Sequence, residues 1–137
     1  MEKAEQAVEL FNQGYCCSQA VLAVFSEDLG LSKENALRIA SGFGGGMKMA
    51  QLCGAVTGAI MALGLKNGPD KNKMTEYVLE FIKRFKGING SVICRELMGC
   101  DICTPEGMQS AKEKDLFNTL CPKLVQDASE ILEEMLT

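Results

Sequence analysis

The sequence predicts an all-α protein, built as one compact domain of several helices. Apolar residues recur every three or four positions along most of the chain, which is the spacing of a helix face. The runs are separated by Gly, Pro and Ser, the residues that end or begin helices, and the alternating pattern of strands is almost absent. With 137 residues, 47% of them hydrophobic, the chain is long enough to bury a core in a single domain, residues 1–137.

The first half of the chain predicts four helices. They cover approximately residues 3–12, 17–28, 33–41 and 50–65. Gly14 ends the first, and Ser32 is placed to cap the third with its side-chain oxygen. The glycines within residues 42–46 separate the third helix from the fourth, because Gly is unfavourable in helix interiors.

The second half predicts four further helices. These are a long one with its apolar stripe over residues 74–85, a short one capped by Ser91, one that starts at Thr104-Pro105, and a last one that starts at Cys121-Pro122. Proline suits the first helical position because its missing N–H would have no partner there. The Asn-Gly-Pro run at residues 67–69 is a clear break before this half. No linker or low-complexity stretch divides the chain.

Charge and hydropathy argue against two classes of partner. The net charge of −4, from 14 Lys and Arg against 18 Asp and Glu, argues against nucleic acid, which needs clustered positive charge. The long uncharged run of residues 49–65 is rich in Gly and Ala and carries Gln51 and Thr57, so it predicts a buried helix rather than membrane insertion. The first residues lack the layout of a signal peptide. We therefore expect a cytoplasmic protein whose thiols are kept reduced.

The chain has seven cysteines and no histidine, so we expect its chemistry to depend on sulfur. The thiolate is the form that takes part in redox exchange, soft-metal binding and nucleophilic attack. Four of the seven fall near predicted helix N-termini, namely Cys17, Cys53, Cys94 and Cys121. Unpaired N–H groups and the helix dipole favour a thiolate there and lower its pKa. The alternative interpretation is that these cysteines are buried and pack as small apolar residues.

Cys100 and Cys103 form a lone CxxC motif. No βαβ pattern surrounds it, so a thioredoxin-like fold is unsupported. Together with Cys94 it gives a spacing close to those of iron–sulfur proteins, and a fourth ligand could come from Cys121 or Cys17. Cys94, Cys100 and Cys103 are therefore an alternative set of metal ligands.

The segment CGAVTG at residues 53–58 resembles the defining motif of the C-GCAxxG-C-C family, whose members are described as redox-active. The segments around Cys17, Cys94 and Cys121 resemble those that carry the family's first, third and fourth cysteines. The resemblance implies a helical fold and a redox role for these four cysteines. Cys16, Cys100 and Cys103 are additions to that pattern.

Small residues recur every four positions in the fourth predicted helix, at Gly54, Gly58 and Ala62. A nearly bare helix face allows a neighbouring helix to approach closely, which is one way to bring Cys17 near Cys53. The Gly-rich run at residues 42–46 matches neither the dinucleotide nor the P-loop pattern, so we expect a turn there rather than a nucleotide site.

Three functional hypotheses remain open at this point. The first is thiol–disulfide exchange or electron transfer through Cys17, Cys53, Cys94 and Cys121, as in a thiol oxidoreductase that acts on a partner protein or a small thiol or disulfide. The second is a metal-binding protein that holds an iron–sulfur cluster or zinc through the same four cysteines or the alternative set. The third is a non-catalytic helical interaction module.

Overall fold

The computed structural model describes residues 2–137, and eight α-helices form in this part of the chain. Their bounds are α1 Glu2–Asn12, α2 Cys17–Ser26, α3 Lys33–Ile39, α4 Gly54–Asn67, α5 Lys71–Asn89, α6 Cys94–Met98, α7 Pro105–Glu113 and α8 Leu116–Leu136. Within residues 2–137 the β-type pairing is limited to one isolated antiparallel bridge, Leu52 with Ile93. The prediction of an all-α fold is confirmed.

The core lies where α2 and α4 pack against each other and α8 covers them together with α1 and α5. Its largest fully buried side chains come from four helices: Leu22, Leu63, Phe81, Phe85 and Leu132. Each such side chain stabilises the fold by roughly 1.5–3 kcal/mol relative to its exposed state. Within residues 2–137, none of the helices combines the length and apolar character needed to span a bilayer.

Several predicted helix ends are confirmed by their hydrogen bonds. Ser32 caps α3, because its side chain accepts from the N–H of Asn35 at 3.1 Å. Thr104 caps α7 in the same way, accepting from the N–H of Gly107 at 2.9 Å, and Pro105 follows in the first helical position. The break predicted at residues 67–69 separates α4 from α5.

Cys121 does not cap the last helix, so that prediction is wrong. Helix α8 begins at Leu116, which places Cys121 and Pro122 inside it. A proline in a helix interior costs about 3 kcal/mol because it removes a hydrogen bond. Here Phe117 and Leu120, on the turns before Pro122, pack against a buried cluster, and this packing outweighs the local cost.

Ser91 does not cap the short helix α6, whose N-cap residue is Ile93. The Ser91 hydroxyl instead accepts from the N–H of Ile93 at 3.0 Å and donates to the carboxylate of Glu96 at 2.6 Å. Ser91 therefore orders the turn that leads into α6, and it does so from a position two residues before the N-cap residue.

Candidate functional site

The four cysteines predicted to form the site line one cavity of about 300 Å³. Six of the seven cysteines line it: Cys16, Cys17, Cys53, Cys94, Cys103 and Cys121. They come from the starts of α2, α4 and α6, from the second turn of α8 and from the loop before α7. The fold therefore brings Cys17, Cys53, Cys94 and Cys121 to one place, although they are far apart in the chain.

The glycines of α4 explain why Cys17 lies beside Cys53. Cys53 is the N-cap residue of α4, and Cys17 is the first residue of α2. A Cβ atom on Gly54 would lie 2.5 Å from the sulfur of Cys17, and one on Gly58 would lie 2.6 Å from the carbonyl oxygen of Ser18. The bare face of α4 thus admits the start of α2, as the small-residue spacing predicts.

The Cys17 sulfur accepts hydrogen bonds that stabilise its thiolate. The thiol of Cys53 is the most important donor, and the backbone N–H groups of Gly45 and Ser18 add to it. Together they lower the pKa of Cys17 to about 7, although burial alone would raise it.

The same hydrogen bond has the opposite effect on Cys53. Its proton is held by the Cys17 sulfur, and this contact, with burial as a further cause, raises the pKa of Cys53 well above its ordinary value. The two neighbouring thiols therefore have pKa values pulled apart, with the negative charge on Cys17 and the proton on Cys53 near neutral pH. Cys53 is only 5% exposed, whereas Cys17 is partly exposed on the cavity wall, so a molecule in the cavity reaches Cys17 first.

Cys94 is held next to Cys53 by the backbone. The N–H of Cys53 donates to the carbonyl of Val92 at 2.8 Å, and the N–H of Cys94 donates to the carbonyl of Gln51 at 2.5 Å. This short antiparallel contact joins the start of α6 to the start of α4. Cys121 reaches the same region from α8, where it packs with Cys94 in a small apolar cluster.

Burial keeps both of these thiols protonated. It is the main cause that raises the pKa of Cys94 to about 11 and that of Cys121 to about 12, and the negative charge of Cys17 adds to it. The expectation that helix N-termini lower all four pKa values is therefore wrong for Cys53, Cys94 and Cys121. The lowered pKa of Cys17 is caused mainly by the Cys53 thiol, with a smaller part from backbone N–H groups at the start of α2. Burial outweighs the helix terminus at Cys94, while Cys121 lies within a helix.

The alternative set of Cys94, Cys100 and Cys103 does not gather at the cavity. Cys94 and Cys103 line it, whereas Cys100 does not and instead directs its thiol to the carbonyl of Met98 at 3.6 Å. The exposed Cys103 thiol donates to the carbonyl of Lys48 at 3.2 Å. In residues 2–137 no group of three or more Cys, Asp or Glu side chains is arranged to hold a metal ion. The metal-binding hypothesis gains no support from this arrangement and stays a prediction.

The loop of residues 44–50 contributes to the site in a way that the sequence patterns do not predict. Gly45 donates its N–H to Cys17, and Lys48 lines the cavity. Met47, Lys48 and Ala50 all have positive φ values, of 58°, 61° and 53°. A positive φ is strained for residues other than glycine, and such strained residues are concentrated at functional sites. The glycine run is the only local signal, and by itself it indicates no more than a turn.

The apolar wall of the cavity is also absent from the sequence-based predictions. Its side chains include Phe11, Met98, Met108 and Phe117, which belong to α1, α6, α7 and α8. Each is an apolar residue within its own helix, and its neighbours in the sequence give no sign of a cavity. Only the packing of these four helices reveals that they surround Cys17.

Comparison with known proteins assigns the chain to a family. No curated protein and no solved structure matches it. A family model described as "Putative redox-active protein (C_GCAxxG_C_C)" matches residues 15–135, a segment that contains all seven cysteines. The chain belongs to the C_GCAxxG_C_C family of redox-active proteins.

Proposed function

We propose that this protein is a thiol oxidoreductase that exchanges disulfides through Cys17 and Cys53. The observation that carries the proposal is the hydrogen bond from the Cys53 thiol to the Cys17 sulfur, which lowers the pKa of one and raises that of the other. A pair with one thiolate and one protonated neighbour has the two groups that exchange needs, an attacking sulfur and a resolving sulfur.

The reaction proceeds in two displacements. The Cys17 thiolate attacks one sulfur of a disulfide RS–SR, the S–S bond breaks, and RS⁻ leaves with the electron pair of that bond. Cys53 then loses its proton to RS⁻ or water and attacks the Cys17 sulfur, which releases the second RS⁻ and closes the Cys17–Cys53 disulfide. The net result is transfer of two electrons and the one proton of Cys53 from the protein to the substrate, and a second proton comes from water where the other RS⁻ is protonated. A small thiol or the dithiol of a partner protein returns the protein to its reduced form by the reverse exchange.

Cys94 and Cys121 take no part in the first step of this proposal, because raised pKa values keep them protonated near neutral pH. They line the same cavity, and their part in later steps remains a prediction. It is tested by measuring the turnover of the Cys94→Ser and Cys121→Ser variants.

The pH dependence of alkylation tests the proposal directly. We expect the rate of iodoacetamide labelling at Cys17, followed by mass spectrometry of its peptide, to rise with pH through a midpoint of about 7 and then to level off. Labelling of Cys94 and Cys121 should still be increasing at the highest pH at which the protein stays folded, because their pKa values are about 11 and about 12.

Equilibration in glutathione redox buffers supplies the second readout. The oxidised protein should contain an intramolecular disulfide between Cys17 and Cys53, identified in the peptide map, and Cys100→Ser should leave it unchanged because Cys100 does not line the cavity. A midpoint for Cys17 of about 8.5 or above, the ordinary range of a thiol, or a disulfide that omits either residue would contradict the proposal.

A further inference from the structure

The cavity beside Cys17 has the character of a site for a small molecule. Its volume of about 300 Å³ lies at the lower end of the range of about 300–1,000 Å³ that ligand pockets occupy. Phe11, Phe117 and Met98 form part of its wall, and aromatic and thioether groups favour apolar or aromatic ligands. A disulfide in a folded protein would have to approach Cys17 together with its flanking chain, which needs more room than a small disulfide does.

The charge on the cavity wall is positive apart from the thiolate itself. Among the residues of 2–137 that line it, only Lys48 has an ammonium, guanidinium or carboxylate group. The Lys48 side chain is exposed and makes no ion pair among the described residues. Asp101 and Arg95 lie near Cys103 outside the wall; desolvation and the Asp101 carboxylate raise the pKa of Cys103 and of Cys94, and Arg95 acts in the opposite direction on Cys103 alone. An anionic group on a ligand would therefore find a free cation at the rim and no fixed carboxylate on the wall.

From these observations we infer that the oxidised substrate is a small, largely apolar disulfide that carries an anionic group, rather than a disulfide of a folded protein. The inference rests on the proposed function and names the substrate class of the same site. The apolar part of the molecule lies against Phe11, Phe117 and Met98, its anionic group pairs with Lys48, and its disulfide faces the Cys17 sulfur. Each turnover converts one such disulfide into two small thiols, while the protein dithiol becomes the Cys17–Cys53 disulfide.

Three disulfides of different charge and shape serve as probes. Dithiobis(nitrobenzoate) is aromatic and anionic, dithiodipyridine is aromatic and uncharged at neutral pH, and cystamine is aliphatic and cationic. The rate constant of each with Cys17 is divided by its rate constant with glutathione thiolate, which removes the intrinsic reactivity of the probe. We expect the normalised rate to be highest for dithiobis(nitrobenzoate), lower for dithiodipyridine and lowest for cystamine. Insulin, whose disulfides belong to a folded protein, should be reduced more slowly than any of them.

Two variants separate the contributions of charge and shape. Lys48→Gln should reduce the preference for dithiobis(nitrobenzoate) over dithiodipyridine by about fivefold, which is the effect of one ion pair near solvent. The matched control, Lys83→Gln on α5, removes the same charge from an exposed residue that does not line the cavity, and it should leave the preference unchanged. Ile102→Trp places a larger side chain in the cavity wall and should slow both aromatic probes, while iodoacetamide labelling of Cys17 persists and shows that the protein is folded.

The outcomes distinguish this inference from the function on which it rests. Equal normalised rates for all three probes, insensitivity to Lys48→Gln, or reduction of insulin faster than the small disulfides would overturn the substrate class and leave the Cys17–Cys53 exchange intact. A Cys17 that reacts with neither iodoacetamide nor any probe would overturn both.

Discussion

Replacing Cys53 by Ser is expected to stop disulfide exchange after its first step. The serine hydroxyl still donates a hydrogen bond to the Cys17 sulfur, so Cys17 remains a thiolate and still attacks the substrate. Without a second thiol at that position the mixed disulfide cannot be resolved, and turnover should fall by about a hundredfold or more, as is usual when a group that acts chemically is removed. Mass spectrometry of the intact protein should show one substrate thiol covalently attached at Cys17.

The Cys53→Ala variant isolates the hydrogen bond from the resolving role. The Cys53 thiol is the leading cause that lowers the pKa of Cys17, and burial, which raises it, remains after the substitution. We therefore expect the alkylation midpoint of Cys17 to move upward from about 7, and labelling at pH 7 to slow by about tenfold as the thiolate fraction falls. Equal midpoints in the Ser and Ala variants would show that this hydrogen bond does not set the pKa.

Cys16→Ser is the control for both substitutions. Cys16 also lines the cavity and directly precedes Cys17, but it is the N-cap residue of α2, a position that serine favours. We expect its exchange rate to stay close to that of the unmodified protein. A loss as large as that of Cys53→Ser would shift the working pair to Cys16 and Cys17.

Replacing Gly58 by Ala is expected to destabilise the protein through the contact between α2 and α4. The added Cβ would lie 2.6 Å from the carbonyl oxygen of Ser18 and 3.2 Å from its Cα, and both are backbone atoms of α2 that cannot move aside alone. Overpacking of this kind costs about 1–3 kcal/mol. Urea unfolding followed by circular dichroism should show a lower midpoint, and the shift of Cys17 away from Cys53 should raise the midpoint of Cys17 alkylation.

The matched control is Gly87→Ala in α5. Gly87 is exposed and lies in a helix without a positive φ, and a Cβ added to it would have no neighbouring atom within 4 Å. The substitution therefore acts by reducing the conformational entropy of the unfolded chain, and it should stabilise the folded protein by about 0.5–1 kcal/mol. A Gly58→Ala variant as stable as Gly87→Ala would show that α2 and α4 are not in close contact.

Much of the fold follows from patterns that act within a few residues. The caps at Ser32 and Thr104 and the break at residues 67–69 are recognisable because a side-chain oxygen, a proline or a glycine acts on the adjacent backbone. The same local rules fail at Cys121-Pro122, where the packing of the preceding turn keeps the chain helical through a proline. They fail again at residues 44–50, whose strained backbone no sequence pattern predicts.

By itself the sequence determined that the protein is helical, and it predicted sulfur chemistry with Cys17, Cys53, Cys94 and Cys121 as the candidate set. Only the tertiary structure decided which of the four is the thiolate. Cys17 and Cys94 are both the first residue of a helix, yet one pKa falls to about 7 and the other rises to about 11. The hydrogen bond from Cys53 lowers the pKa of Cys17, whereas burial raises the pKa of Cys94. Both depend on which distant segments pack together, and that information is absent from the residues next to each cysteine.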